Sequence, residues 1–457
     1  MGHPPTQCVF FPELLKRPVQ VVFDASATSG DGGAVVLAAL DRQIGLTERL
    51  AGAIRDPRQP SKVAHRVVDL VRQRAFGLVC GYADCNDAKA LRQDPVQKIL
   101  LARDPLNGRG LADQATLSRF ENRVGSGDLY RLASELMDVV IEQHRKRRPG
   151  RVKQITIDLD PTEDSTHGEQ QLALFNGHYD TWCYLPLLAF VTFDKEPEQQ
   201  LVAAILRGGR APATQGAIAL LRRLLPRLRQ AFPRARLRIR LDGGFASPEI
   251  LSFLEREQLE YVVAIGRNPV LSRRAEPLME RMRRKTEQSG QSEAAFEETQ
   301  YAAKSWCKLH RRVIMKAEVV RLGACAPRDN ARFVVTNLAH SPKRVYEIYR
   351  GRGDSENRIK ELKNDLEMDR TSCSRFLANQ FRVLLTAAAF VLFQQMRLRL
   401  ALCSNERPMV GTMRLRLIKI AARVESSARR VVLHLAQSHP WAEHWQLLAR
   451  SCSAASG

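Results

Sequence analysis

The chain has 457 residues, and its 71 Lys and Arg outnumber its 49 Asp and Glu, giving a formal charge of +22. This excess favours a polyanionic partner, because each neutralised phosphate releases condensed counterions. The nine cysteines form no Cys-x-x-Cys pair, which argues against a zinc ribbon or a thioredoxin-type site. The longest charge-free apolar stretch, 383–393, is shorter than the roughly 20 residues of a membrane span, so we expect no membrane contact.

Residues 1–150 are predicted to be mostly helical after a short extended start near 19–23. Helical patterns, separated by Gly, Pro and Asp, cover four segments: 62–76, 84–103, 113–124 and 128–147. The region ends in the basic run 145–148, for which a linker and a solvated helix end are equally good interpretations. The exposed positions Thr116, Ser118 and Arg119 suit a DNA-reading helix, although an ordinary amphipathic helix has the same pattern.

Between 151 and 267 the pattern changes to strands that alternate with helices. The predicted elements, in order, are strands at 153–160, 184–193 and 201–207, a helix at 214–232, a strand at 236–242, a helix at 248–257 and a strand at 261–267. Three consecutive strands followed by helix–strand–helix–strand is the order of a ribonuclease-H-like α/β core. The first part of such a core is therefore predicted here.

Residues 268–338 interrupt that order and are predicted to be a β-rich insertion, with strands near 311–321 and 331–338. The core resumes with a helix in 339–370, and 371–457 is predicted to be a basic helical region. The fold class is thus α/β, with a ribonuclease-H-like catalytic core, an inserted β subdomain, and helical N- and C-terminal regions.

The C-terminal region contains an apolar stripe at helical spacing. Its members are Phe381, Leu384, Leu385, Ala388, Leu392 and Met396. Dimerisation and packing against the chain's own core explain this stripe equally well.

Two predicted strands end in a carboxylate that is followed by a residue that breaks strands. Asp158 and Asp160 share one face of the first strand, and Asp242 ends the strand at 236–242. Sites in open α/β sheets form at the carboxyl ends of strands, and two aspartates side by side would make an oxygen-rich pocket suited to Mg²⁺. Aspartate is also a common cap at such ends, so a third ligand is needed to decide.

The third carboxylate is provided by a helical spacing. Tyr349, Arg352, Glu356 and Lys363 fall within about 60° of one another on a helix. One face would then present a carboxylate, two cations and a phenol. A salt-bridged solvent face is the alternative, and two nearby glycines weaken the helix by roughly 1 kcal/mol each.

These four residues resemble the Y-R-E-K signature of DDE transposases in the insertion-sequence-four group. Longer stretches are similar to its thirteen-eighty subgroup: 29–34, 81–82 with 86–87, 117–122, 167–170 and 240–246. The resemblance keeps its order from about residue 20 to 400. One departure is Gly243, where a serine is expected before Gly-Phe.

The resemblance implies that Asp160, Asp242 and Glu356 are catalytic and bind two Mg²⁺ ions, with Mn²⁺ as a substitute. Asp158 remains the alternative to Asp160. The implied activity is metal-dependent cleavage at transposon ends followed by strand transfer into target DNA. A DNA-binding protein with an inactive nuclease fold and a structure-specific endonuclease of the same fold are the alternatives.

The resemblance also implies DNA contacts by Tyr349, Arg352 and Lys363. Trp306 in the insertion is a candidate for stacking a flipped base, with an ordinary core tryptophan as the alternative. The implied partners are double-stranded DNA, as terminal inverted repeats and as target, and a second copy of the chain in the DNA complex. We expect the protein in the bacterial cytoplasm, associated with the nucleoid.

Overall fold

The structure is a computed structural model, and an eight-stranded sheet with helices packed against it dominates the fold. It describes residues 9–11, 13–17, 19–148, 150, 152–306, 309–321, 323, 325–404 and 407–453.

The N-terminal region is largely helical, as predicted. Its short strands are β1 (Val9–Phe11), β2 (Val19–Val21) and β3 (Thr28–Ser29). Its helices are α1 (Val35–Ile44), α2 (Leu46–Gly52), α3 (Val67–Cys80), α4 (Ala88–Leu91), α5 (Pro95–Leu100), α6 (Gln114–Arg123) and α7 (Ser126–Arg147). The segment predicted as one helix at 84–103 is divided, because Asp94 caps α5 and Pro95 occupies its first turn. The basic run at 145–148 includes the last turn of α7, so the helix-end interpretation describes it.

The middle of the chain forms most of the sheet structure. Its strands are β4 (Gln154–Pro161), β5 (Asp164–Ser165), β6 (Leu174–Asn176), β7 (Thr181–Tyr184), β8 (Leu187–Phe193), β9 (Gln200–Ile205), β10 (Arg236–Leu241), β11 (Glu260–Ile265), β12 (Glu293–Tyr301), β13 (Arg311–Val320) and β14 (Arg328–Thr336). The large sheet has the order β12–β13–β14–β11–β10–β4–β8–β9, and β5, β7 and β6 form a small sheet. Within the large sheet β4, β10 and β11 are parallel to one another, and the remaining pairs are antiparallel.

Strand β4 lies in the centre of the sheet and is buried on both faces. Ile155, Ile157 and Leu159 are fully buried on one side, while Asp158 and Asp160 share the other. Two helices make the crossovers between the strands that follow: α8 (Ala217–Ala231) between β9 and β10, and α9 (Pro248–Arg256) between β10 and β11. The alternation in the sequence therefore predicted which residues of β4 enter the apolar core.

The segment 268–338 contains more than strands. It begins with the 21-residue helix α10 (Pro269–Ser289), which buries Leu271, Leu278 and Met282 at helical spacing. Strands β12, β13 and β14 follow as an antiparallel meander, and β14 pairs with β11. The expectation of a β-rich segment thus missed a helix, and the strands extend the large sheet.

The helix predicted within 339–370 is broken in the middle. Helix α11 (Pro342–Arg350) is followed by α12 (Gly353–Lys360) and by a π-helical turn at Glu361–Asp365. A side chain at Gly351 would clash with Arg240 Nη1, so a larger residue there would require the Arg240 guanidinium to shift.

The C-terminal region, predicted to be helical, also contains a hairpin. Its elements are α13 (Phe376–Ser404), α14 (Val410–Met413), a π-helical turn at Arg414–Ile418, β15 (Ala422–Ser426), β16 (Val431–Leu435) and α15 (Ala442–Ser453). The strand period of two in 422–426 was mistaken for helix, and β15 pairs with β3 at the other end of the chain.

Helix α13 is the central helix of the core. By length and composition its segment Phe376–Leu402 could cross a membrane, but 83% of its most apolar window is buried in the fold. It packs against α3, α7 and β9, and every member of the predicted apolar stripe is at most 4% exposed. The stripe therefore belongs to the core of the same chain.

Candidate active site

The register of two parallel strands places the strand-end aspartates side by side. Arg240 of β10 is the Cα partner of Asp158 in β4, so Asp242 lies beside Asp160 two residues further along. Neighbouring strands are separated by about 4.8 Å, and residues two apart share a face of the sheet. The two carboxylates therefore occupy the same edge and the same face, as the sequence predicted.

Asp158 forms an ion pair that links β4 to β10. It is fully buried, and both of its oxygens accept hydrogen bonds from Arg240, at 2.8 Å from Nε and 2.6 Å from Nη2. Gln199 donates a further bond of 3.1 Å to Oδ2. This bidentate pair leaves Asp158 little capacity to bind another cation.

Asp160 is 7% exposed and is bonded through one oxygen only. Its Oδ2 accepts from Arg352 Nη1 at 2.7 Å and from Ser355 Oγ at 2.9 Å. Burial raises the pKa of Asp160 to about 6; Arg352 opposes this shift and the charge of Asp242 adds to it. A second negative charge nearby makes the pocket favourable for a cation.

Asp242 caps a short 3₁₀ turn at Gly243–Phe245, and its Oδ1 accepts from the Gly244 N–H at 2.8 Å. A side chain at Gly244 would come within 2.9 Å of the Ala213 Cβ, whereas the nearest atom to a side chain at Gly243 is 3.9 Å away. The space around Gly243 would therefore accept the serine that the family pattern has at this position.

Glu356 is connected to Asp160 by Arg352, which lies between the two carboxylates. Its side chain is 60% exposed, and its Oε1 lies 3.6 Å from Arg352 Nη2. Arg352 thus bridges Glu356 and Asp160. Within the described part of the chain, no three His, Cys, Asp or Glu side chains converge closely enough to bind a metal ion. The structure brings two carboxylates together and leaves the third on the far side of a guanidinium.

The remaining predicted DNA contacts lie on the same helical segment. The Tyr349 carbonyl accepts a hydrogen bond of 2.9 Å from the Arg352 N–H, and its ring lies 5.9 Å from that of Tyr346 at a tilt of 55°. Lys363, in the π-helical turn, donates to Glu163 Oε2 at 2.8 Å. Both cations of the motif are therefore paired with carboxylates beside the aspartates.

Trp306 lies away from solvent. It is 4% exposed, its ring contacts Tyr301 edge-on at 5.6 Å, and the Arg311 guanidinium lies 5.1 Å from the ring centre. In this position it serves as a core residue, and stacking on a base would require the segment to open.

Sequence reasoning did not assign roles to Ser355, Arg240 or Glu163. Ser355 lies three residues after Arg352 on nearly the same helical face, so its spacing in the sequence indicates a position beside Arg352. The roles of Arg240 and Glu163 depend on partners 82 and 200 residues away, and no local pattern indicates such contacts.

A family model described as "Transposase DDE domain group 1" matches residues 11–455. No curated protein gives a significant match to the chain. The family match covers nearly the whole chain, including both strand-end aspartates and the helix that carries Glu356. The chain therefore belongs to the transposases with a DDE domain of group 1.

Proposed function

We propose that this transposase carries out cut-and-paste DNA transposition, by metal-dependent cleavage at transposon ends and strand transfer into target DNA. We place it in the insertion-sequence-four group, in the thirteen-eighty subgroup, on the motif spacing described above. The observation that carries the proposal is the position of Asp160 and Asp242 at the carboxyl ends of adjacent parallel strands, with Glu356 next to them across Arg352.

The sheet order supports a ribonuclease-H-like core. Strands β9, β8 and β4 are an antiparallel meander, and β10 and β11 continue parallel to β4. The segment 268–338 lies between the second aspartate and the glutamate in the chain, as proposed for the insertion.

The donors fit the two Mg²⁺ ions that the family implies. Asp160, Asp242 and Glu356 offer only carboxylate oxygens, which are the ligands that Mg²⁺ and Mn²⁺ prefer. Arg352 now supplies the positive charge among these carboxylates, which indicates where a cation is favoured. When bound, two such ions activate water or a 3′-hydroxyl and stabilise the leaving oxygen.

The protein's own side chains orient the ligands and the DNA. Ser355 keeps its hydrogen bond to Asp160 and fixes the direction of that carboxylate. Arg352 exchanges Asp160 for a phosphate beside the cut, and Lys363 exchanges Glu163 in the same way. Tyr349 orients Arg352 during this exchange.

Other regions are proposed to recognise and pair the ends. Residues 1–150 would bind the terminal inverted repeats, and Ser118 and Arg119 of α6 are exposed there. A homodimer would hold two ends for insertion into one target, in the cytoplasm near the nucleoid. Since the stripe on α13 is buried in the same chain, we place the dimer contact outside it.

The test is cleavage of inverted-repeat DNA by Asp160→Ala, Asp242→Ala and Glu356→Ala. Each should lower cleavage by more than about 100-fold, because even residues that only support metal ligands cost 10–100-fold. Binding to the same DNA should remain, because affinity comes mainly from the basic surface. The matched control is Glu347→Ala, an exposed carboxylate on α11 that pairs with Arg344.

Near-normal cleavage by Asp160→Ala, with loss in a folded Asp158→Ala, would move the first ligand to Asp158. The placement of Arg352 on Asp160 also favours a second candidate, a DNA-binding protein with an inactive nuclease fold. In that case the unaltered protein would cut no DNA with Mg²⁺ or Mn²⁺. Cleavage without strand transfer would instead indicate a structure-specific endonuclease.

A further inference from the structure

A basic cleft of about 820 Å³ lies at the amino ends of β4 and β10, at the opposite end of the strands from the aspartates. Among the residues that the structure describes, eight lysines and arginines line it, against three acidic residues. Six of these cations are Arg147, Arg148, Lys153, Lys195, Arg236 and Arg344. The proposed catalytic residues, and the residues predicted to contact DNA beside the cut, do not line this cleft.

The first wall of the cleft comes from the end of α7. Arg147 and Arg148 share one carboxylate, that of Glu196, at 2.5 and 2.9 Å. Two guanidinium groups on one carboxylate retain a positive charge. The end of α7 therefore contributes positive charge to the cleft through Arg147 and Arg148.

The second wall is formed by the amino ends of β4 and β10 and by residues next to them. Arg236 and Arg238 likewise share a single carboxylate, that of Glu260, at 3.3 and 2.6 Å. Lys153 and Lys195 are exposed, and neither makes an ion pair with a described residue. The acidic residues nearby thus compensate only part of the positive charge.

A helix start completes the cleft. Helix α11 begins at Pro342, its N-cap Ser341 makes no side-chain cap, and His340 and Arg344 both line the cleft. The free N–H groups and the dipole of a first helical turn favour an anion. Arg344 is 58% exposed, so the charge is accessible to a large partner.

The spacing indicates which partner fits. Thr156 and Gln154 line the cleft and precede Asp160 in β4 by four and six residues, which is roughly 13–20 Å at about 3.3 Å per residue. One strand of a DNA duplex carries a phosphate about every 3.4 Å along the axis. We propose that the cleft holds backbone phosphates of the duplex being cut, about four to six base pairs from the cleaved bond.

The identity of this polyanion rests on the proposed function, whereas the charge of the cleft does not. A cleft that holds the cut duplex would set the register of the DNA relative to the aspartates without contacting bases. Its removal should then weaken binding equally for all sequences and reduce the salt dependence of binding.

The test is Lys153→Gln/Lys195→Gln, because both side chains are exposed and their loss disturbs no ion pair described in the structure. We expect the slope of log Kobs against log salt, on a duplex that extends well beyond the cut on both sides, to fall in magnitude by about 2, since each phosphate contact contributes about 0.9. The matched control is Lys285→Gln/Lys304→Gln, two exposed lysines of the segment 268–338 that do not line the cleft. Its slope should be unchanged.

Duplexes shortened to three base pairs on one side of the cut, and then on the other, locate the contact. For the unaltered protein, shortening the duplex on one side of the cut, but not on the other, should reduce the slope of log Kobs against log salt by the same amount of about 2. For the cleft variant, neither shortening should reduce the slope further. An unchanged slope in the cleft variant, or an equal fall in the control, overturns the proposal. Cleavage of the long duplex is scored separately, so a missing nuclease activity and a missing cleft contact give different results.

Discussion

The two ends of β4 and β10 carry opposite charges on one face of the same sheet. At the carboxyl ends Asp160 and Asp242 lie side by side, and at the amino ends Arg238 faces the basic cleft. Midway between them, Arg240 and Asp158 neutralise each other. This pair of strands thus has a site that favours a cation at one end and a surface that favours an anion at the other. The structural ion pair lies between them, two residues from each along the strand.

The role of an aspartate on these strands depends on its partner across the strands. Asp158 and Asp160 have the same residue type, strand and face, but only Asp158 lies opposite an arginine in register. A change at Asp158 should therefore mainly lower the stability of the fold, whereas a change at Asp160 should mainly lower DNA cleavage.

The largest expected effect on stability is that of Asp158→Ala. It leaves Arg240, which is 8% exposed, without its carboxylate, and the loss of one member of a buried pair costs roughly 3–5 kcal/mol of unfolding free energy. Asp160→Ala should cost much less, because Arg352 keeps Glu356 nearby. Urea unfolding of the metal-free proteins measures both. Equal losses would mean that the two carboxylates do not differ in structural role.

The second largest effect is a dependence of stability on pH that involves Asp160. Burial raises the pKa of Asp160 from 3.8 to about 6, so the folded state binds this proton more tightly than the unfolded chain does. The fold is then stabilised as pH falls from about 6 to about 4, and ionisation at neutral pH costs up to about 3 kcal/mol.

Asp160→Asn should therefore be more stable than the unaltered metal-free protein at pH 7, and the difference should vanish near pH 4. Buried His144, whose pKa is lowered to about 3, and Asp164, whose pKa is raised to about 8, titrate in both proteins and cancel in the difference. The measurement is the urea midpoint from pH 4 to pH 7. A constant difference would contradict the raised pKa.

The smallest effect concerns the turn after Asp242. Gly244→Ala would force a contact of 2.9 Å with the Ala213 Cβ, and such overpacking costs about 1–3 kcal/mol. Gly243→Ser meets its nearest atom at 3.9 Å and should change stability by less than about 0.5 kcal/mol. Thermal unfolding and DNA cleavage of this matched pair show whether the turn positions Asp242. Similar losses for both variants would assign the effect to the backbone instead.

Local patterns predicted much of this architecture because strand alternation and helical spacing are local signals. They placed Asp160 and Asp242 at the ends of buried strands, and the four-residue spacing placed Arg352 and Glu356 on neighbouring turns. The choice between Asp158 and Asp160 could not be made in this way. The contacts of the two residues differ in the structure, because only Asp158 is paired with Arg240, which lies 82 residues away in the chain.

The elements that were missed have physical causes too. Helix α10 carries apolar residues at helical spacing, but Pro277 and many charges hid the pattern. Strand β15 has the period of two expected for a strand, but it is only five residues long and pairs with β3 nearly 400 residues earlier. Long-range pairing of short segments leaves too little local signal to be recognised.

The central position of α13 determines when the protein can acquire its core during synthesis. The N-terminal helices and the strands up to β11 leave the ribosome first. The apolar surfaces of α3, α7 and β9 stay uncovered until the helix at 376–404 has been synthesised. The stretch from the end of β9 to the end of α13 takes roughly ten to forty seconds to synthesise, at about 5–20 residues per second. A chain terminated before this helix would expose an apolar surface, so translation errors should yield insoluble fragments instead of partially active nucleases.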